Sequence, residues 1–245
     1  MTFMPMAEPN SCASGFWIVK VETTKKPEAQ LLGSAIGMKV MEDVPYITGM
    51  NKWLGTELTE EACAYLKDFG AATASNGAVG LYHMENLTPE AKEQGAGLIC
   101  EGARVYVIDD AELERVQREY PVMWKNPAAA PKLCFVGCPH MSLQQLKDWT
   151  VRVEEGLKAA GNAKVLIPTV FTTAPAVKAE FEKTAYAKRL EATGVILSYI
   201  CPLMYMNNPL CKSMPVITSS NKLRTYTTAR YYTEDEILAE ITKGV

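Results

Sequence analysis

A chain of 245 residues, 48% hydrophobic and 22% charged, carries enough apolar material for one large or two modest cores. Its net charge of −3 gives no electrostatic footprint for nucleic acid, and no Lys/Arg cluster marks an anionic membrane surface. No apolar run approaches the length of a membrane span. Met1 to Trp17 has neither a basic n-region nor a continuous apolar h-region, which argues against a signal peptide and for a cytoplasmic protein.

In chain order, Thr59 followed by Glu60 and Glu61 predicts a helix start, with acidic residues on the positive end of the dipole. That helix is expected to run through Ala62, Leu66 and Phe69 and to stop at Gly70. Ala78 to His83 reads as a strand, and Thr88-Pro89-Glu90 as a second helix start with proline at the first helical position. Arg104 to Ile108 reads as a strand and Asp110 to Tyr120 as a helix. The clearest seam is Asn126-Pro-Ala-Ala-Ala-Pro131, which predicts two α/β domains, 1–126 and 127–245.

Beyond the seam, Lys132 to Val136 reads as a strand. Ser142 with Gln145 forms a capping box for a helix whose Leu143, Leu146, Val153 and Leu157 share one face and which Gly161 ends. Val165 to Val170 is a predicted strand, Pro175 to Ala192 a helix, Val195 to Ser198 and Pro215 to Thr218 strands, and Thr233 with Glu236 opens a last helix. Strands alternating with helices predict βαβ units and a mostly parallel sheet.

Seven cysteines is an odd number, and a reducing compartment disfavours disulfides. Cys63, Cys100 and Cys134 sit in apolar patterns and read as packing residues. Cys12, Cys138, Cys201 and Cys211 lie in loop-like surroundings. Three strings stand out because each follows an apolar run: Val136-Gly-Cys-Pro-His140, Ser198-Tyr-Ile-Cys-Pro202 and Thr218-Ser-Ser-Asn-Lys222. In open α/β sheets ligands bind beyond the carboxyl ends of the strands, so these loops form one candidate site edge.

Cys138 near a capped helix start is a thiolate candidate, as nucleophile or metal ligand, or a turn cysteine that only packs. Cys201 on a neighbouring strand end suggests a shared metal or cluster. Iron–sulfur clusters need three or four protein thiolates, so Cys12, Cys211 or a partner chain would have to complete the set. No CxxC pair occurs, which excludes zinc-finger and thioredoxin patterns. Ser219, Ser220, Lys222 and Arg224, with Tyr226 beyond, form either a cradle for carboxylate or phosphate or a solvated turn. His83 and Glu85 end a predicted strand. Gly70, Gly77 and Gly80 lack the spacing of a dinucleotide fingerprint, and there is no P-loop.

Several of these strings resemble the aconitase X family. Ala71-Ala-Thr-Ala-Ser-Asn-Gly-Ala-Val-Gly-Leu-Tyr-His83 with Leu87-Thr-Pro-Glu-Ala91 is similar to the segment leading into the family's Thr-Pro-Glu-Ala motif. Gly137-Cys-Pro-His140 with Ser142 resembles its Gly-Cys-Pro-His-x-Ser, Ile200-Cys-Pro202 its Asp-Thr-Cys-Pro, and Thr218 to Lys222 with Tyr226 its Thr-Asn-Ser-Gly-Lys plus tyrosine. The resemblance starts at about residue 33. It implies aconitase-like three-layer α/β domains around an iron–sulfur cluster ([4Fe–4S] or [2Fe–2S]), and a hydro-lyase acting on a small hydroxy-carboxylic acid such as cis-3-hydroxy-L-proline or phosphomevalonate. It implies Cys138 and Cys201 as cluster ligands, with Cys12 a weak third, and Ser220 and His140 as catalytic candidates. It implies Ser75, Asn76, His83, Lys222 and Arg224 as substrate contacts.

The departures are specific. Tyr199 stands where the family has aspartate, Ser219 where it has asparagine and Asn221 where it has glycine. The family's large subunit is longer, and a second subunit is expected to supply the missing part and the swivelling domain. Three hypotheses follow. The first is one chain of a split dehydratase whose cluster a partner completes, the second a non-catalytic paralogue without a cluster. The third, ranked last, is a cysteine hydrolase using Cys138 and His140.

Overall fold

The structure is a computed structural model that describes residues 15–244. Two compact units divide between Val116 and Gln117, and the Asn126–Pro131 stretch lies inside the second as an irregular segment. Cys12 lies outside the described residues.

The first unit runs β1 (Gly15–Val21), α1 (Ala29–Val40), β2 (Pro45–Thr48), α2 (Asn51–Leu54), α3 (Glu60–Asn76), β3 (His83–Met84), α4 (Pro89–Gln94), β4 (Ile99–Ile108) and α5 (Asp110–Arg118). Its sheet is all parallel in the order β3-β2-β1-β4. Right-handed crossovers place α1 and α3 on one face and, because β4 returns to the far side of β1, α4 on the other. Ala91 of α4 packs there with Tyr46 and Leu98.

Gly70 does not end α3, contrary to the expectation from sequence. It instead opens room for Tyr82, whose ring lies 3.3 Å from where a Cβ on Gly70 would stand. Tyr82 donates to Leu66 O at 3.0 Å and meets Phe69 edge-on at 4.8 Å. Held against the helix, residues 78–82 leave the sheet, so the predicted strand shrinks to His83–Met84. The helix therefore runs on to Asn76, with the Thr59 hydroxyl accepting from Ala62 N at its start.

The second unit runs β5 (Leu133–Met141), α6 (Leu143–Ala160), β6 (Thr169–Thr173), α7 (Pro175–Phe181), α8 (Ala185–Ala192), β7 (Ile196–Ser198), α9 (Pro202–Met206), α10 (Pro209–Lys212), β8 (Val216–Thr218), α11 (Asn221–Tyr226), β9 (Arg230–Tyr231) and α12 (Glu234–Thr242). This sheet is also all parallel, in the order β7-β6-β5-β8-β9. Both capping boxes read from sequence are present, Ser142 with Gln145 on α6 and Thr233 with Glu236 on α12, and Gly161 closes α6 in the left-handed conformation. Two expectations need correction. The helix from Pro175 breaks in two because Thr184, in an extended conformation, turns its hydroxyl back to Phe181 O at 2.7 Å. The strand expected at Val165–Val170 begins only at Thr169. Before Pro168 the chain crosses helix ends, with Val165 N bonded to Thr193 O and Leu166 N to Ile241 O.

One core of this unit joins Cys134, Val136 and Met141 of β5 to Trp149, Val153, Phe181, Leu190 and Ile237. The other joins Leu133, Phe135 and Cys138 to Met206, Val216 and Leu223. Of the three cysteines assigned to packing, only Cys134 is core. Cys100 is half-buried and Cys63 is exposed on α3, its Sγ turned to Leu58 O at 3.8 Å. No helix of the described residues is long and apolar enough to cross a membrane.

Candidate active site

In the second unit, β5, β6 and β7 step outward in one direction, and the chain then returns to place β8 on the other side of β5. The reversal makes the carboxyl ends of β5 and β8 a topological switch point, where open sheets leave a crevice. Phe135 on β5 pairs with Thr218 on β8, so the Gly137–His140 and Ser219–Ser220 segments leave adjacent strands at the same level.

The Gly137–His140 segment is a bulge rather than a loop beyond the strand. Val136 pairs with Phe171 and Met141 with Thr173, so four residues of β5 stand opposite Thr172 alone. Gly137 has φ +104°, a left-handed value that L side chains rarely adopt, and a Cβ there would lie 2.3 Å from Thr172 O. The peptide between Cys138 and Pro139 is cis. Along β5, Leu133 and Phe135 face one core and Cys134 and Val136 the other. Strict alternation would send Cys138 with Cys134 and Val136. The bulge at Gly137 shifts it to the opposite face, onto α9 and α11, where it is 6% exposed. Cys138 thus faces the same layer as the other two strings. His140 is half-buried.

Ser220 is buried and caps α11, its hydroxyl accepting from Leu223 N at 3.0 Å. Its amide donates to Thr218 Oγ1 at 3.1 Å, which fixes the turn. Asn221 and Lys222 therefore form the first helical turn rather than a solvated loop. Lys222 is half-buried and has no ion-pair partner among the described residues. Arg224 points elsewhere: its Nε donates to Asn221 Oδ1 at 2.7 Å and its guanidinium lies 3.9 Å from the Tyr120 ring centroid. Burial lowers its pKa from the ordinary arginine value, partly offset by Tyr120 and Tyr231. Tyr226 is 61% exposed.

Cys201, half-buried, is the residue before α9. It follows β7, which β6 separates from β5, so the two cysteines are not on adjacent strand ends as expected. Two strand spacings amount to about 10 Å. From Cys201 onward α9 packs over the sheet, with Met206, Leu203 and Tyr205 in the core that holds Cys138. Tyr205 stacks on Phe135 with centroids 5.4 Å apart, and its hydroxyl lies 2.9 Å from Ser198 Oγ. Cys211 belongs to the same cluster.

The first-unit candidates are built differently. Asn76 at the end of α3 accepts from Ser34 Oγ at 3.0 Å and donates to Ala72 O and Ser75 Oγ, so Ser75 and Asn76 tie α3 to α1. His83 lies in β3 beside Tyr46, 3% exposed, and its Nδ1 has no hydrogen-bond partner among the described residues. By register it shares the Tyr46 face, which α4 covers, whereas α1 and α3 cover the face of Val19 and Ile47. Burial lowers the His83 pKa below the usual histidine value, and Glu90 offsets this in part.

Sequence reasoning missed Thr172 and Thr173. Both are fully buried on β6, and their hydroxyls donate to Gly137 O at 2.5 Å and Met141 O at 2.7 Å, one at each end of the bulge. The signal was two adjacent threonines closing the apolar run Val170-Phe-Thr-Thr173.

The donors among the described residues do not fit a complete iron–sulfur cluster. Such clusters take three or four protein thiolates, and among the described residues no group of three or more His, Cys, Asp or Glu side chains could hold a metal ion.

Comparison with known proteins agrees with this frame. Residues 15–118 match the aconitase X second domain and residues 131–238 the aconitase X third domain. The chain is 30% identical over 184 residues to the phosphomevalonate dehydratase large subunit of Thermococcus kodakarensis, covering 75% of this chain and 42% of that one. It is 28% identical over 171 residues to the protein of that name from Methanothermobacter thermautotrophicus, covering 69% and 37%. The chain thus spans less than half the length of these relatives. The crystal structure of Thermococcus kodakaraensis aconitase X in its holo form superposes with a TM-score of 0.69 at 24% identity, over 94% of this chain and 55% of that one. The chain belongs to the aconitase X family, of which it carries the second and third domains.

Proposed function

We propose that this chain is one component of an aconitase X-like hydro-lyase acting on a small hydroxy-carboxylic acid, phosphomevalonate or a cyclic hydroxy acid such as cis-3-hydroxyproline. A second subunit supplies the metal donors that the described residues lack. One observation carries the reading: the bulge of β5 and the cap of α11 leave adjacent strands at the switch point of the second sheet, and α9, which Cys201 precedes, packs in the core that holds Cys138. Cys138 and Cys201 are the donors this chain offers. Lys222 holds the substrate anion. The Ser220 hydroxyl, its lone pair engaged by the Leu223 amide, is the group that exchanges a proton with the substrate carbon next to the carboxylate. Arg224, bonded to Asn221 and stacked on Tyr120, steadies the turn rather than meeting substrate.

The test is anaerobic purification with the products of neighbouring genes, followed by iron and sulfide analysis and a dehydration assay. Cys138→Ala and Cys201→Ala are expected to remove iron from the assembly. Iron at wild-type stoichiometry in both variants would sink the reading.

A second reading, a non-catalytic subunit without a cluster, is favoured by the lack of three convergent donors among the described residues and by Tyr199, 57% exposed where the family has aspartate. It predicts a colourless assembly. A visible charge-transfer band that disappears in Cys138→Ala excludes it.

A further inference from the structure

We propose that Thr172 is a positioning residue: its hydroxyl holds the Gly137 carbonyl and so decides on which face of the sheet Cys138 emerges. This rests on the reading that Cys138 is a working thiol of the site. Where β5 bulges, Gly137 to His140 lose regular pairing with β6, because Thr172 is the only residue between the last pair, Val136–Phe171, and the next, Met141–Thr173. A buried carbonyl without a partner is costly, so something must replace the ladder bond at Gly137.

Thr172 Oγ1 does so. It is fully buried and lies 2.5 Å from Gly137 O, against 3.4 Å from Val136 O. A hydroxyl has one proton to give, and the shorter contact takes it. The same glycine sits at φ +104°, and a Cβ there would lie 2.3 Å from Thr172 O and 2.9 Å from Thr172 Oγ1, so only glycine lets the two strands come close enough for this bond. Thr173 closes the far end through Met141 O at 2.7 Å.

The consequence falls on Cys138. Without the bulge, strand alternation turns residue 138 toward the α6 side, with Cys134 and Val136. With it, Cys138 joins Phe135, Met206 and Leu223 on the side of α9 and α11. Two threonine hydroxyls that touch no candidate ligand or substrate group thus set the placement of the site's most buried thiol.

The test is the rate of iodoacetamide alkylation of Cys138 relative to Cys134, resolved by peptide mass spectrometry on the full-length chain. Cys134 serves as reference because it is fully buried in the same strand, and burial raises its thiol pKa. Thr172→Val keeps shape and removes the hydroxyl. It is expected to raise Cys138 labelling about tenfold while Cys134 stays at its wild-type rate, and Thr172→Ser is expected to restore Cys138 to near wild type. A general loss of stability would move both cysteines together and would not be rescued by serine.

Unchanged Cys138 labelling in Thr172→Val, parallel rises at both cysteines, or a serine variant that behaves like valine each overturn the proposal. If Thr172→Val does not accumulate as folded protein, Thr172→Ala replaces it under the same criteria. Failure of both to fold assigns the hydroxyl to the whole unit and overturns the proposal as well. Iron analysis of the wild-type assembly is a separate arm. A wild-type assembly without iron defeats the cluster reading and leaves the labelling result standing.

Discussion

The two sheets of this chain are variations on one plan. Both are parallel, with the first strand flanked by the second on one side and the fourth on the other: β3-β2-β1-β4 in the first unit, β7-β6-β5-β8 with β9 added in the second. Each has its switch point between first and fourth strands. In the first unit that point is closed. The ladder runs to its end, with Glu22 N bonded to Ile108 O, and Thr24 then gives its amide and hydroxyl to the Asp110 carboxylate. In the second unit β5 instead bulges after Val136, which places Cys138 and Ser220 on adjacent strand ends at this point. A shared topology therefore offers two equivalent places for chemistry. Local details, a bulge in one and a clasp in the other, set the two apart.

The largest expected effect comes from the glycines that let adjacent strand ends approach. Gly137→Ala places a Cβ 2.3 Å from Thr172 O at φ +104°, and Gly49→Ala places one 2.4 Å from Val21 O at φ +85°. Each substitution is expected to destabilise its own unit by about 3 kcal/mol or more, measured by urea unfolding. The comparison predicts a difference in a second readout. Gly137→Ala changes Cys138 alkylation under native conditions, whereas Gly49→Ala leaves it at the wild-type rate. Equal changes in Cys138 labelling would break the assignment of the bulge to the site.

The helix caps separate stability from function at a smaller scale. Ser220 caps α11 and Thr59 caps α3 in the same way, by accepting from the amide three residues on. Alanine at either position is expected to cost about 1 kcal/mol. Only Ser220→Ala is expected to lower the dehydration rate of the assembly, by about 100-fold or more, the scale of a lost general acid–base group. Equal activity in the two variants would return Ser220 to a purely structural role.

Much of this frame could be read from the sequence, for identifiable reasons. Caps and parallel βαβ order depend on near neighbours and hydrophobic runs, so Ser142 with Gln145, Thr233 with Glu236 and the strands at 196–198 and 216–218 stood out. The break of the Pro175 helix at Thr184 is local, through Phe181 O, but the other failures involve a partner distant in sequence. Gly70 looked like a helix stop because its partner, the Tyr82 ring, lies twelve residues on. The bulge was invisible because Thr172, which makes it possible, is on another strand. Ser220 was placed correctly after a strand, but the turn around it is a helix start, which gives it a second, structural duty. Arg224 carries the right charge for an anion and is committed to Asn221 and Tyr120 by packing that no local motif announces.

The smallest predicted effects lie in the first unit's response to acid, where two groups act in separate pH windows. Burial lowers the His83 pKa from its ordinary 6.5, with Glu90 opposing. The unfolded chain then binds the proton first, so the stability His83 confers is present above pH 6.5 and declines as pH falls from there through the folded value. Asp110 is shifted down from 3.8 by the Thr24 hydroxyl and then the Thr24 amide. Its contribution is present above 3.8 and is lost as pH falls below it through the folded value. In urea midpoints of the first unit followed against pH, His83→Phe is expected to flatten only the upper window and Asp110→Asn only the lower. The Cys138 alkylation rate in the second unit should be the same in both variants as in wild type at each pH. A His83→Phe profile with the wild-type slope below pH 6.5 would mean that Glu90 offsets burial in full, so that the imidazole at the edge of the first sheet takes up its proton as readily in the folded state as in the unfolded chain.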